Sequence, residues 1–294
     1  MAEMSNSFLL HPEAWRTPLI KLPLESERVG CEVYAKLETV NPTGVHKDRE
    51  SAMVIRDMIK KGYREVACAS SGNAAISISG FAYMHGFESH VFLGSDTPEE
   101  KLHLLKIFQP SIHKVRGDYL DAVDALLEFI DGKNVYNANA GYCEAKLIGN
   151  SYIGEEIARD LKPDYVVCPT SNGTHFVGVG MGILRSGLKP ELIAATAPET
   201  RIAHSIKGFY HLEEPKITEL ITATSGCIVE VSDSEIFEAT RRLVKQGIVA
   251  EPASAASIAA IPHLNPDKGE VVCSTITGNG LKYPNILREI LSKS

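Results

Sequence analysis

The stretch NPTGVHKDRES, Asn41–Ser51, decides how the chain is to be read. It follows CEVYAKLE (31–38), whose β-branched and aromatic residues predict a strand. It opens as a turn, Asn41-Pro42-Thr43-Gly44, and runs into KDRESAMVIRDMIKKG (47–62), a helical pattern that Gly62 stops. Strand, turn and helix in that order place Lys47 in the first turn of the helix. The helix dipole already makes that end positive, so an ammonium is electrostatically disfavoured there. A neutral amine, or an amine bonded to a carbonyl carbon, is not. Lys47 is therefore the first candidate for chemistry.

The same unit recurs along the chain. EVACAS (65–70) predicts a strand and NAAISISGFAYMHG (73–86) a helix. SHVFLG predicts a strand, and TPEEKLHLLKIF a helix with Thr97 as cap and Pro98 at its first position. IHKVRG and DYLDAVDALLEFIDG repeat the pair, as do DYVVCP and THFVGVGMGILRSG. ELIAATA follows, then SDSEIFEATRRLVKQG with a capping box on Ser232 or Ser234, then the strand GEVVCSTITG and the helix YPNILREILSK. Strands alternating with helices of this length predict an α/β fold, parallel sheets flanked by helices. Residues 201–226 fit no element clearly. In such folds ligands sit beyond the carboxyl ends of strands, so the loops that follow strands are where function is sought.

The bounds of the whole chain agree. Its 294 residues suggest about two domains, and 44 % hydrophobic with 23 % charged residues is ordinary globular composition. A net charge of −7 offers no basic face, so no nucleic-acid partner is expected. No apolar run reaches membrane-spanning length, and the N-terminus does not read as a signal peptide, so a cytoplasmic protein is expected. None of the six cysteines forms a CxxC pair. They predict reduced, buried thiols rather than a disulfide or metal framework, and no metal site is expected.

Three further loops are rich in small and polar residues. SSGNAA (70–75) offers two hydroxyls, a glycine and an amide before a helix, and its backbone N–H groups could hold a carboxylate. PTSNGTHFVG (169–178) follows a strand and could hold a phosphate; it is neither a Walker motif nor GxGxxG. The GVGMG run at 178–182 lies inside a helical stretch and predicts close packing instead. TITGNGLKYP (275–284) ends a strand on Thr277. Singly, each loop reads equally as an ordinary capped turn. Together, a phosphate loop, a carboxylate loop, an amine and a strand-end hydroxyl are the parts that hold pyridoxal phosphate.

NPTGVHKDR, SSGNAA, EPASAASIAAI and TGNGLKYP stand in the order found in the tryptophan-synthase-β family of pyridoxal-phosphate enzymes, the second fold group of such proteins. The chain resembles the threonine synthase-like branch most, whose motifs read close to NPTGSFKDR, SSGN and TGHGLKDP. The resemblance implies two α/β domains, one of 1–41 plus 139–294 and one of 42–138, with the cofactor between them. It implies that Lys47 binds the cofactor covalently and that Asn73 hydrogen-bonds its ring hydroxyl. Ser70, Ser71, Gly72 and Ala74 would bind the substrate carboxylate. Ser171, Asn172, Gly173, Thr174 and His175 would cradle the cofactor phosphate, and Thr277 would face the ring nitrogen. Lys146 stands where an arginine often helps bind a substrate phosphate. The expected reaction converts O-phospho-L-homoserine and water to L-threonine and phosphate. A serine/threonine dehydratase or a cysteine synthase-type β-replacing enzyme is the alternative, and a homodimer is the expected assembly.

The chain departs from the family pattern in places. Val45 and His46 replace a serine and an aromatic before the lysine, and His46, taken as helical, is expected to point away from Lys47. Ser171 and Thr174 replace two common glycines. PKITELITATSG does not resemble the branch's usual segment after the phosphate helix.

Overall fold

The computed structural model describes residues 7–95, 97, 99–208 and 212–292. The chain divides into two compact units. One comprises Met1–Trp15 with Lys47–Gly149, the other Arg16–His46 with Asn150–Ser294. The divisions thus fall at 46/47 and 149/150, whereas the sequence led to 41/42 and 138/139, with the N-terminal residues in the other unit.

In the first unit, α2 (Lys47–Lys61) leads into β3 (Glu65–Ala69), α3 (Asn73–Met84), β4 (Glu88–Gly94), α4 (Glu99–Lys106), β5 (Ser111–Val115), α5 (Tyr119–Ile130) and β6 (Val135–Asn137). The sheet order is β5-β4-β3-β6, and all pairs are parallel. The chain winds outward from β3 through β4 to β5, then returns to place β6 on the other side of β3. The direction of winding therefore reverses between β3 and β6. Val66, Cys68, Ile78, Phe81, Val91 and Leu93 pack one apolar face of this sheet. Ala67, Phe92, Val123 and Leu126 pack the other.

The second unit begins with β1 (Leu19–Lys21), α1 (Pro23–Val29) and β2 (Glu32–Leu37). After α6 (Glu144–Asp160), whose first residues belong to the other unit, come β7 (Tyr165–Pro169), α7 (Thr174–Arg185) and β8 (Glu191–Thr196). Next are α8 (Glu214–Thr224), β9 (Cys227–Glu230), α9 (Asp233–Lys245), α10 (Pro252–Leu264), β10 (Val271–Ile276) and α11 (Pro284–Ser292). The sheet order is β1-β2-β10-β7-β8-β9, parallel except for the edge strand β1. Here the winding reverses between β7 and β10.

The alternation read from the sequence is thus present, and the fold is α/β with parallel sheets. Lys47 is the first residue of α2, and Gly62 stops the helix with φ of 80°. Ser232, not Ser234, makes the capping box, exchanging bonds with Glu235. Thr97 donates its backbone N–H to Gly94, while Pro98 lies outside the described residues. The stretch 201–226 is not irregular throughout, because α8 occupies its second half. Gly180 and Gly182 serve packing in α7: a Cβ on Gly182 would lie 1.9 Å from the Ser151 carbonyl oxygen of α6. All six cysteines are free thiols, but Cys227 is exposed, on the edge strand β9.

Candidate functional site

Reversal of winding leaves a gap between the loops that leave two neighbouring strands, and parallel sheets bind ligands there. Each unit has one such point, where the Ser70, Ser171 and Thr277 loops lie; the loop that leads to Lys47 follows β2, the next strand beyond β10. In the first unit, Ser70-Ser71-Gly72 leaves β3 and feeds α3, which Asn73 opens. Gly72 is the cap position and supplies no side-chain bond, so the first N–H groups of α3 depend on other partners. Ser70 is partly committed to the turn, accepting from the Gly72 N–H at 3.2 Å. Asn139, just after β6, accepts from the Ala69 N–H at 3.3 Å, and its buried Nδ2 has no hydrogen-bond partner. Sequence reasoning missed Asn139, because only the register of β6 on β3 carries it to this loop.

Lys47 and Lys146 belong to the same unit and share one carboxylate. Lys47 Nζ donates to Glu50 Oε1 at 2.7 Å, and Lys146 Nζ lies 3.6 Å from Glu50 Oε2. Glu50 is 1 % exposed. Lys146 is buried too, and so is not a solvated lysine at a helix start. Burial pulls its ammonium pKa down, but Glu50 and, more weakly, Cys143, Cys68 and Tyr119 outweigh that and leave it above the ordinary lysine value. Glu50 was not singled out from sequence. Its three-residue spacing from Lys47 on a helix was the available signal. Asp48 accepts from the Ser77 hydroxyl at 2.7 Å, and Ser77 lies 2.7 Å from Ser51. These buried bonds fix the first turn of α2 on α3.

In the second unit, Ser171-Asn172-Gly173 leaves β7 and feeds α7. Gly173 adopts φ of 90°, a left-handed conformation, so the loop closes without a side chain at that corner. No side chain caps α7. Asn172 Oδ1 and Thr174 Oγ1 are buried without hydrogen-bond partners. Buried polar groups are seldom left so, and a helix N-terminus with a free hydroxyl and an amide that can turn over suits a phosphate. Ser171 instead donates to the Gly208 carbonyl at 2.9 Å. His175 Nε2 lies 2.9 Å from Thr275 Oγ1, and Nδ1 lies 3.2 Å from Asn150 Oδ1. Asn150 Oδ1 can only accept, so the proton sits on Nδ1 and Nε2 accepts from the Thr275 hydroxyl.

Thr277 follows β10, on the other side of the reversal. Its hydroxyl lies 3.0 Å from Ser254 Oγ, which also accepts from the Gly278 N–H at 2.9 Å. His46 corrects the expectation drawn for it. It is not helical. Val45 forms an antiparallel bridge with Gly278, which holds the chain extended, and the His46 N–H donates to the Thr277 carbonyl at 2.8 Å. The His46 ring is buried, 4.4 Å from that of His175. In this unit the structure therefore brings together Thr277, His175 and His46, with Ser254 and Asn150 as partners that the sequence did not reveal.

Comparison with known proteins agrees with the donor set. Residues 10–278 match the family model described as "Pyridoxal-phosphate dependent enzyme". The threonine synthase of Methanocaldococcus jannaschii is 31% identical over 92% of this chain and 75% of its own length. That of Bacillus sp. (strain ULM1) is 30% identical over 92% of this chain and 84% of its own. Among solved structures, maize serine racemase superposes with a TM-score of 0.84 at 16% identity, over 99% of this chain and 96% of its own. A cysteine synthase from Entamoeba histolytica gives 0.80 at 20% identity, over 97% and 95%. The structural likenesses speak for the fold alone. The family match, the identity spread over nine-tenths of the chain and the phosphate-suited loop before α7 converge: this chain belongs to the family of pyridoxal-phosphate dependent enzymes.

Proposed function

We propose that this enzyme is a threonine synthase, converting O-phospho-L-homoserine and water to L-threonine and phosphate. The observation that carries the reading is the 31% identity with a threonine synthase over 92% of the chain. Pyridoxal phosphate, when bound, would supply an aldehyde carbon and an electron-withdrawing ring. The residues of this chain do the rest. Lys47 would hold the cofactor through its Nζ and would move protons at the substrate carbons. Glu50 accepts from its Nζ and so fixes where that nitrogen returns. Asn73 holds the cofactor's ring hydroxyl, and the loop of Ser70, Ser71, Gly72 and Ala74 binds the substrate carboxylate. Ser171, Asn172, Gly173, Thr174 and His175 hold the cofactor phosphate at the start of α7. Thr277 would offer the ring nitrogen a neutral hydroxyl, which does not force ring protonation. Lys146 serves the substrate phosphate. We read the enzyme as a cytoplasmic homodimer. Free thiols, and no helix among the described residues long and apolar enough to cross a membrane, agree with that location. Light scattering tests the assembly.

One observation favours the alternative, a serine/threonine dehydratase or a cysteine synthase-type β-replacing enzyme. Lys146 already faces a carboxylate, so its charge is partly committed before any phosphate arrives. Turnover of O-phosphohomoserine, threonine, serine and O-acetylserine, read by phosphate, oxoacid or thiol consumption, separates the two. On the favoured reading only O-phosphohomoserine is turned over well. Lys146→Ala then lowers kcat/KM for it by roughly ten- to a hundredfold, the loss of about 1.5–3 kcal/mol of charge-assisted binding. Phosphate release from O-phosphohomoserine no faster than without enzyme refutes the favoured reading.

A further inference from the structure

At the opposite end of the β3–β4 pair from the Ser70 loop, a second cluster has no part in the proposed reaction. Glu65 opens β3 and Glu88 opens β4, and their Cα atoms are register partners. In neighbouring strands such partners project to one face, so two carboxylates stand side by side. His90, two residues along β4, points to the same face. One ligand atom from each of Glu65, Glu88 and His90 lies within 4.8 Å of the others. Like charges directly opposed across a sheet are destabilising, and His90 answers only one of them, with Nε2 3.0 Å from Glu65 Oε2. Glu88 has no ion-pair partner among the described residues.

The imidazole is held in place. His90 Nδ1 lies 3.3 Å from His113 Nε2, on the neighbouring strand β5. His113 stacks on Phe92 at 4.3 Å, with the rings 5° from parallel. Phe129 of α5 lies 4.9 Å from His90 and 5.0 Å from His113. A ligating histidine usually donates its other N–H to an acceptor that fixes ring and tautomer. His113 Nε2 is placed to be that acceptor, so an ion that replaces the proton His90 Nε2 shares with Glu65 would find the ring already held.

We infer that Glu65, Glu88 and His90 form a divalent-metal site on the first unit, separate from the loops that serve the cofactor. One imidazole nitrogen and two carboxylate oxygens suit a borderline transition-metal ion such as Zn²⁺. Glu88 is exposed, so water completes the coordination. The ion would pin the amino ends of β3 and β4 together. Sequence spacing conceals the site, because Glu65 and Glu88 are joined only by strand register.

The test uses the cofactor-loaded enzyme, stripped with a chelator, desalted and titrated with ZnCl₂ by calorimetry. One equivalent should bind per chain and raise the unfolding temperature. Glu88→Gln, at an exposed position that leaves the fold intact, should weaken binding by more than roughly tenfold, the loss that removing even an outer partner causes. His90→Asn should do the same. Co²⁺ in place of zinc should give ligand-field bands without the near-ultraviolet charge-transfer absorption of a thiolate. No uptake by the parent, equal uptake by Glu88→Gln, or a thiolate band from the cysteines would each overturn the site.

Discussion

Glu50 is the carboxylate that Lys47 and Lys146 share. A buried carboxylate between two lysines stabilises only while it is charged and both partners are near it. In the cofactor-free protein, Glu50→Gln leaves two ammonium groups without it. The expected loss is about 3 kcal/mol, the lower end for breaking a buried pair, because Lys47 keeps 21% of its side chain in solvent. Adding Lys146→Met should restore most of it, since that change removes the buried charge Glu50 served. Urea unfolding of the single and double variants reads both, and an unchanged midpoint in Glu50→Gln would show that the contact is energetically idle. Cys227 makes a second residue-scale case. Its thiol is exposed, yet partial burial, followed by the Glu191 carboxylate, raises its pKa above the ordinary thiol value. Alkylation needs the thiolate, so native-state labelling by iodoacetamide should fall on Cys227 and keep rising past pH 9 instead of levelling there. The other thiols should react only on unfolding. Cys68, for example, is pushed up to about 11 by burial.

At the scale of elements, α6 and α7 approach closely because glycines line their contact. A Cβ on Gly154 would lie 2.1 Å from the Val179 carbonyl oxygen, and one on Gly182 would lie 1.9 Å from that of Ser151. Neither backbone oxygen can turn aside, so the helices must separate. Gly182→Ala should therefore cost about 3 kcal/mol or more despite alanine's better helix propensity, the upper range for an overfilled interior. The displacement would reach the start of α7, where Thr174 and His175 sit, so cofactor affinity should fall with the melting temperature. A variant with unaltered melting would mean that the helices tolerate a methyl group there. This packing was legible in sequence as GVGMG within a helical stretch, but its partner was not. The conformation of His46 was not legible either, because the bridge between Val45 and Gly278 pairs residues far apart in the chain.

At the scale of the whole molecule, each unit has its own core, and the second adds a buried polar network. Lys36 is fully buried and donates to the Thr17 carbonyl at 2.7 Å and to Glu156 at 2.6 Å. Glu38 accepts from the Thr17 hydroxyl at 2.7 Å and from Asn41 at 2.6 Å. These bonds tie the segment before β1, the end of β2 and α6 together just before the turn that leads to Lys47. Lys36→Met should cost about 3–5 kcal/mol by stranding Glu156, and the pair Lys36→Met with Glu156→Leu distinctly less. Thermal unfolding of the two variants decides. If the double variant is as unstable as the single, the bonds to Thr17 carry more than the ion pair.

The sequence by itself determined the alternation of strands and helices, the position of Lys47 at the start of α2 and the loops at which function was sought. Those features are local: β-branched runs, glycine stops and capping residues act within a few positions. The order of cofactor-family motifs was legible for the same reason, since each motif is one short loop. Only the tertiary structure decided which loops flank a reversal of winding, because strand order depends on pairing between distant segments. It alone put Lys146 against Glu50, His46 against His175 and Thr277, and Glu65 beside Glu88 and His90. Each of these contacts depends on register or helix packing, and a side chain's partners across a sheet cannot be read from its neighbours along the chain.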